Sequence, residues 1–149
     1  MARYLLLFLI LIIFSYTSPA SDLPKEKRWA EQIEDALLDG EPVTLNDGIN
    51  DFFAIDTTAE NPNSTAIILL HGIGVHPDWP QVINPLRVGL PEKGWRTLSL
   101  QLPVLPNDAS AQDYQPLMKE VPGRIEAGIK YLQSNGSKKI IIVAHSMGA

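Results

Sequence analysis

The chain has 149 residues, 45% of them hydrophobic, with no cysteine and a net charge of −5 at pH 7. That composition suits one small domain or a piece of a larger one, and it excludes a disulfide framework and lipid attachment at a cysteine. No Lys/Arg cluster is present that could track a phosphate backbone, so nucleic acid is not an expected partner.

The chain opens as an address. Arg3 gives a positive start, Leu5 to Phe14 is an unbroken apolar run, and Ser18-Pro19-Ala20 is a small-residue cleavage site. This pattern reads as a secretory signal peptide over residues 1–20, cut after Ala20. The run is too short to serve as an anchor, since spanning a bilayer takes ~20 apolar residues. The mature domain would be 21–149, with no stable membrane anchor. Cleavage removes Arg3 and no acid, so the mature chain is one unit more negative. An exported protein without cysteine fits a bacterial periplasm better than eukaryotic secretion.

From Pro24 to Asp39, Trp29, Ile33, Ala36 and Leu37 share one helical face and Gly40 supplies a stop, which predicts a short amphipathic helix. Pro42 to Leu45 and Phe52 to Ile55 read as strands joined through Asn46-Asp47-Gly48, a hairpin signal. A polar loop over 57–65 follows, and Ala66 to Leu70 is a buried strand running into His71-Gly72-Ile73-Gly74. Val82 to Leu90 has helical spacing, Trp95 to Leu102 alternates as a strand, and Tyr114 to Leu132 reads as one helix with an uncertain start. Ile140-Ile141-Ile142-Val143 is four β-branched residues in a row, suited to a parallel strand with both faces covered. The strand–helix alternation from residue 66 predicts an α/β class with a mostly parallel sheet and flanking helices.

Two motifs carry chemistry. Behind the last strand comes Ala144-His145-Ser146-Met147-Gly148, the small-x-Ser-x-Gly spacing of a nucleophile elbow with Ala144 in place of the first glycine. The flanking residues must be small because strand and helix pass close together there. Ser146 is the candidate nucleophile. His71-Gly72-Ile73-Gly74 ends another strand in a turn whose glycines let a main-chain N–H, of Ile73 or a neighbouring glycine, face a developing oxyanion. The partner donor would be the N–H of Met147. An ordinary strand-to-loop turn is the alternative reading of His71-Gly72. His76 and Asp78 look like partners for Ser146, but an acid and histidine serving such an elbow follow the serine in chain order. His76 is therefore read as a structural or pocket-rim residue, Trp79 as packing or pocket wall, and His145 as a local packing residue. The three histidines lack metal-ligand spacing, so neither a metal nor another cofactor is expected.

From about residue 42 to 149 the chain resembles the N-terminal part of an α/β-hydrolase, cut off at the nucleophile elbow. The stretch from His71 through Leu105 also resembles a family of uncharacterised exported bacterial α/β-hydrolase-like proteins. That second resemblance rests on His71-Gly72-Ile73-Gly74, His76-Pro77-Asp78-Trp79-Pro80, Pro85-Leu86-Arg87, Leu90-Pro91, Gly94 to Ser99, Pro103-Val104-Leu105 and His145 to Ala149. It implies Ser146 as nucleophile, the Ile73 and Met147 amides as oxyanion hole, and a small-molecule acyl substrate. The triad acid and histidine are expected after residue 149.

Two readings follow from different classes. In one, the chain is a fragment of an exported serine hydrolase acting on an ester or related acyl substrate. In the other, it is a non-catalytic α/β-hydrolase-like binding or interaction protein. On the first reading, isolated 21–149 should have negligible esterase activity and should aggregate through the exposed apolar strand at 140–143.

Overall fold

The computed structural model describes residues 21–149, so the expected leader at 1–20 lies outside the described residues. Helix α1 spans Leu23–Ala36 and is followed by strands β1 (Glu41–Asn46), β2 (Asp51–Thr57) and β3 (Thr65–Leu70). Helix α2 (Ile83–Gly89), β4 (Arg96–Leu100), α3 (Val121–Ser134) and β5 (Lys139–Ala144) complete the regular elements. The five strands form one sheet in the order β1-β2-β4-β3-β5. β1, β2 and β4 pair antiparallel in succession, whereas β3 runs parallel to both β4 and β5. The result is the mixed sheet with flanking helices expected of an α/β fold.

Alternation along the strands assigns the two faces. Ala66, Ile68 and Leu70 of β3 join Leu98 and Leu100 of β4 in a core packed by Ile125, Ile129 and Leu132 of α3. Ile67 and Leu69 point the other way, onto Ile83 and Leu86 of α2. Phe53 and Ile55 of β2 meet Ile33 and Ala30 of α1. Both crossovers of the parallel part thus carry a helix, one on each side of the sheet.

Local chemistry sets the helix limits. The Asp22 carboxylate accepts the Lys25 N–H at 3.0 Å, and Pro24 sits in the first turn, where its missing N–H costs nothing. The single helix expected over 114–132 is instead two elements. Ala111–Lys119 is a 3₁₀ segment containing Pro116, and α3 begins only at Val121, with Pro122 in its first turn. Pro116 has no N–H for the helical ladder and its ring crowds the preceding turn, so one continuous α-helix cannot form across it.

The alternation of β4 has a different cause from a wet face. Thr97, Ser99 and Gln101 are all fully buried. The Thr97 hydroxyl donates to the Arg87 carbonyl at 2.9 Å and the Ser99 hydroxyl to that of Pro77 at 2.6 Å. These bonds tie α2 and the loop before it to the sheet. β5, by contrast, lies at the sheet edge in this order, with Ile142 46% exposed among the described residues, so the coverage on both faces expected of 140–143 is not present there.

Candidate active site

β3 and β5 pair in register, with Leu70 opposite Ala144, so the loops leaving their C-terminal ends start side by side. Ligands of open parallel sheets bind at such strand ends. One more bond extends the ladder past the strands, from the His145 N–H to the Leu70 carbonyl at 3.0 Å. The next residue, Ser146, has φ of 55°, and no other non-glycine among the described residues has a positive φ. A left-handed conformation costs an L-residue about 1–2 kcal/mol. That strain is held by the ladder on one side and a one-turn 3₁₀ segment, Ser146–Gly148, on the other.

Close packing explains the small residues. A Cβ on Gly148 would lie 2.6 Å from Cβ of Leu70 and 3.1 Å from its carbonyl oxygen. A Cβ on Gly72 would lie 3.1 Å from both Cβ of Ser146 and Nδ1 of His145. The elbow and the His71-Gly72-Ile73-Gly74 turn therefore touch through positions where any side chain would push them apart. Ser146 is exposed, as a nucleophile must be. Among the described residues neither the Ile73 nor the Met147 N–H has a hydrogen-bond acceptor. The two loops thus bring together Ser146, the Ile73 segment and the Met147 segment.

His71 is buried completely and organises the turn. Its Nδ1 donates to the Gly72 carbonyl at 2.8 Å, and its Nε2 accepts the Leu102 N–H at 2.9 Å. Burial pushes its pKa down to about 3, so the ring is neutral at physiological pH and its tautomer is set by these two partners. His76 stands between Trp29 and Trp79, edge-on at 5.5 Å from each ring, and accepts the Asp78 N–H at 3.2 Å. Asp78 is occupied by the buried Arg87, whose Nε and Nη2 each lie 2.8 Å from its Oδ1, and by Asn84 at 2.9 Å. Neither His76 nor Asp78 is brought to Ser146; they fasten the loop to α1 and α2. His145 packs its ring against Gly72.

Two features escaped the sequence reading. Glu26 of α1 and Arg124 of α3 form an ion pair, Nη1 to Oε2 at 2.8 Å, with Arg124 fully buried. Arg124 also donates to the Gln101 carbonyl at 2.9 Å and faces the Phe52 ring at 5.1 Å. Ser21 joins this group through Glu26 and accepts the Val104 N–H at 3.1 Å. No spacing in the sequence could reveal a pair 98 positions apart. The second feature is Tyr114, which clusters with Leu105 and Leu117 in a group against which Met147 packs. Among the described residues no group of three or more His, Cys, Asp or Glu could hold a metal ion, and no helix is long and apolar enough to cross a membrane.

The sequence profile of a family described as proteins of unknown function, DUF3530, matches residues 15–116, which include the His71 turn and Tyr114. No curated protein matches the chain. Among solved structures, an esterase from Pyrococcus furiosus superimposes with a TM-score of 0.60 at 21% identity, over 78% of this chain and 44% of that one. An α/β serine hydrolase homologue from Coxiella burnetii gives 0.55 at 15% identity, over 75% and 54%. An α/β serine hydrolase without lid from Xanthomonas campestris gives 0.56 at 12% identity, over 74% and 52%. The fold is that of the α/β-hydrolases, and the chain spans about half the length of these structures.

Proposed function

The chain belongs to the DUF3530 family of proteins of unknown function, and we propose for it an activity, the hydrolysis of an ester or related acyl bond through Ser146. The observation that carries this reading is the strained φ of Ser146 at the end of β5, held against the Gly72 turn at the end of β3. A non-glycine residue is kept in a left-handed conformation where the surrounding structure has a use for it. Here the use is to lift a hydroxyl clear of the sheet between two idle amides.

In this reading the Ser146 hydroxyl attacks the acyl carbonyl while a histidine takes its proton. The negative charge that develops on the carbonyl oxygen accepts the Ile73 and Met147 N–H groups. Collapse of the tetrahedral species expels the alcohol, which receives the proton from the histidine, and leaves an acyl group on Ser146. Water then attacks that acyl group, again with the histidine as base, and regenerates the serine. Losing one such amide donor costs roughly 3–4 kcal/mol of transition-state stabilisation, which is why the position of both loops matters. The histidine and its carboxylate are assigned to chain beyond residue 149, since His71 and His76 are engaged elsewhere. The structures it resembles are about twice as long, which leaves room for them.

Export to a bacterial periplasm belongs to the same proposal. Ser21, the residue that cleavage after Ala20 would leave first, is held by Glu26 and Val104. The test uses the full-length protein from its native host. A fluorophosphonate probe should label the wild type and not Ser146→Ala, short-chain p-nitrophenyl esters should be hydrolysed in the same pattern, and the intact mass should start at Ser21. Equal labelling of both proteins, or none of either, would overturn the catalytic reading in favour of a binding protein.

A further inference from the structure

Tyr114 occupies a short segment whose position is fixed at both ends. Its start is a capping box, in which the Asp113 carboxylate accepts both the N–H and the hydroxyl of Ser110 at 2.7 Å. Two residues beyond the tyrosine, Pro116 stops the segment from winding on as an α-helix. The residue is 3% exposed and clusters with Leu105 and Leu117, a group against which Met147 packs. Its hydroxyl oxygen accepts the Leu105 N–H at 3.0 Å. That bond uses a lone pair and leaves the phenolic hydrogen free to donate.

Among the described residues nothing accepts that hydrogen. Buried phenols ordinarily find a partner, because an unused polar hydrogen away from water is destabilising. The surroundings indicate what the partner is. Oη lies 3.9 Å from where a Cβ on Gly74 would stand, so it faces the turn that carries the Ile73 amide. The cluster that the ring forms with Leu105 and Leu117 packs against Met147, the residue that carries the other amide. Tyr114 therefore faces the Gly74 turn from a cluster that also meets Met147, and so borders the candidate oxyanion hole. If its sole task were to accept from Leu105, its own hydrogen would have no reason to be kept unpaired beside the Gly74 turn.

We propose that the Tyr114 hydroxyl is a third, side-chain donor to the carbonyl oxygen of the acyl substrate, and a catalytic residue in that sense. This rests on the Ser146 reading above. The hydrogen bond strengthens as the carbonyl oxygen becomes an oxyanion, while the Leu105 N–H keeps the phenol oriented. The proton stays on the tyrosine throughout, so no bond to it is broken.

The experiment compares full-length wild type, Ser146→Ala and Tyr114→Phe on p-nitrophenyl butyrate, with active serines counted by fluorophosphonate titration. Tyr114→Phe should lower kcat per titrated serine by about tenfold or more, with KM within about twofold, as for loss of an oxyanion donor. Its affinity for a trifluoromethyl ketone, which forms a tetrahedral adduct, should fall in the same proportion. A merely structural role would lower the melting temperature or the number of titratable serines and leave kcat per serine unchanged. That outcome, with Ser146→Ala inactive, overturns the Tyr114 proposal and leaves the Ser146 reading standing. Absence of any Ser146-dependent turnover in the wild type overturns both. Should Tyr114→Phe fail to fold, 3-fluorotyrosine at position 114 keeps the acceptor for Leu105 and sharpens the donor. A changed kcat then supports the proposal and an unchanged one overturns it.

Discussion

Nδ1 of His71 lies 2.8 Å from the carbonyl oxygen of Gly72, the residue that follows it. The peptide between Gly72 and Ile73 is planar and trans, so holding its carbonyl on one side fixes the Ile73 N–H on the other. His71 thereby aims an amide that it does not touch. Its other nitrogen accepts the Leu102 N–H, which locks the end of β3 to the chain leaving β4. Replacing His71 by alanine leaves two buried backbone groups unpaired, at about 1–3 kcal/mol each. His71→Ala should lower unfolding free energy by about 2–6 kcal/mol at pH 7 in a urea titration.

The same residue sets a pH dependence. Burial holds His71 down at about 3, whereas in the unfolded chain it protonates near its ordinary value of 6.5. Between those limits the unfolded state binds the extra proton, so stability is complete above about pH 6.5 and is lost as the pH falls toward 3. His76, lowered by burial as well, acts in the same direction. Glu26 acts in the opposite direction. Burial raises its pKa above the unfolded value despite Arg124, so its effect on stability is favourable at low pH and is lost as the pH rises through its folded value. The urea midpoint should drop between pH 6.5 and 4, and His71→Gln should flatten that slope. An unchanged slope in the variant would assign the effect elsewhere.

Ser146 invites a comparison of two variants that lack its hydroxyl. Alanine keeps the left-handed strain of a non-glycine residue, about 1–2 kcal/mol, whereas glycine removes it. Glycine also adds freedom to the unfolded chain, which offsets about 0.4–1 kcal/mol. The net expectation is that Ser146→Gly is more stable than Ser146→Ala by roughly 0.5–1 kcal/mol. Thermal melts of the two variants would check it.

Gly148 has no such latitude. A methyl group there would stand 2.6 Å from Leu70 Cβ, on a strand at the centre of the β4-β3-β5 group that cannot move away. Overpacking of this kind costs typically 1–3 kcal/mol. Gly148→Ala should lower the melting temperature and slow fluorophosphonate labelling of Ser146, because the elbow must shift away from β3 to make room.

The Glu26–Arg124 pair is the strongest test of how α1 is held. Removing one partner of a buried pair strands the other charge and costs about 3–5 kcal/mol, whereas replacing both with apolar residues can be neutral. Arg124→Met alone should be severely destabilised, and Glu26→Leu combined with Arg124→Met should recover most of the loss. The coupling is read from the double-mutant cycle in urea.

The strands were legible where local pattern decides. Ile140 to Val143 and Ala66 to Leu70 announce β5 and β3, and Asn46-Asp47-Gly48 announces the turn between β1 and β2. The need for a small residue at Gly148 was legible for the same reason, since its close approach to Leu70 can be met only by a residue without a side chain. What local pattern could not show is which strands are neighbours. β4 inserts between β2 and β3, and no short-range signal encodes that order. Tyr114 was hidden by the expectation of one long helix, in which it would have been an ordinary apolar position. Pro116 breaks that helix, and the ring is buried with Leu105 and Leu117 instead. No local pattern singles out Glu26 or Arg124, and only the packing of α1 and α3 around the β4 exit buries them.

The pairing of β5 with β3 also has a kinetic consequence. β1 and β2 join adjacent stretches of chain and close a short loop, whereas β5 must find β3 after the α2 crossover, β4 and the α3 crossover that separate them in the chain. Contacts that close such long loops form slowly. The left-handed turn at Ser146 depends on that final strand being seated, so in refolding the serine should become reactive after tryptophan fluorescence has already recovered. A serine probe would then serve as a clock for the last step of folding.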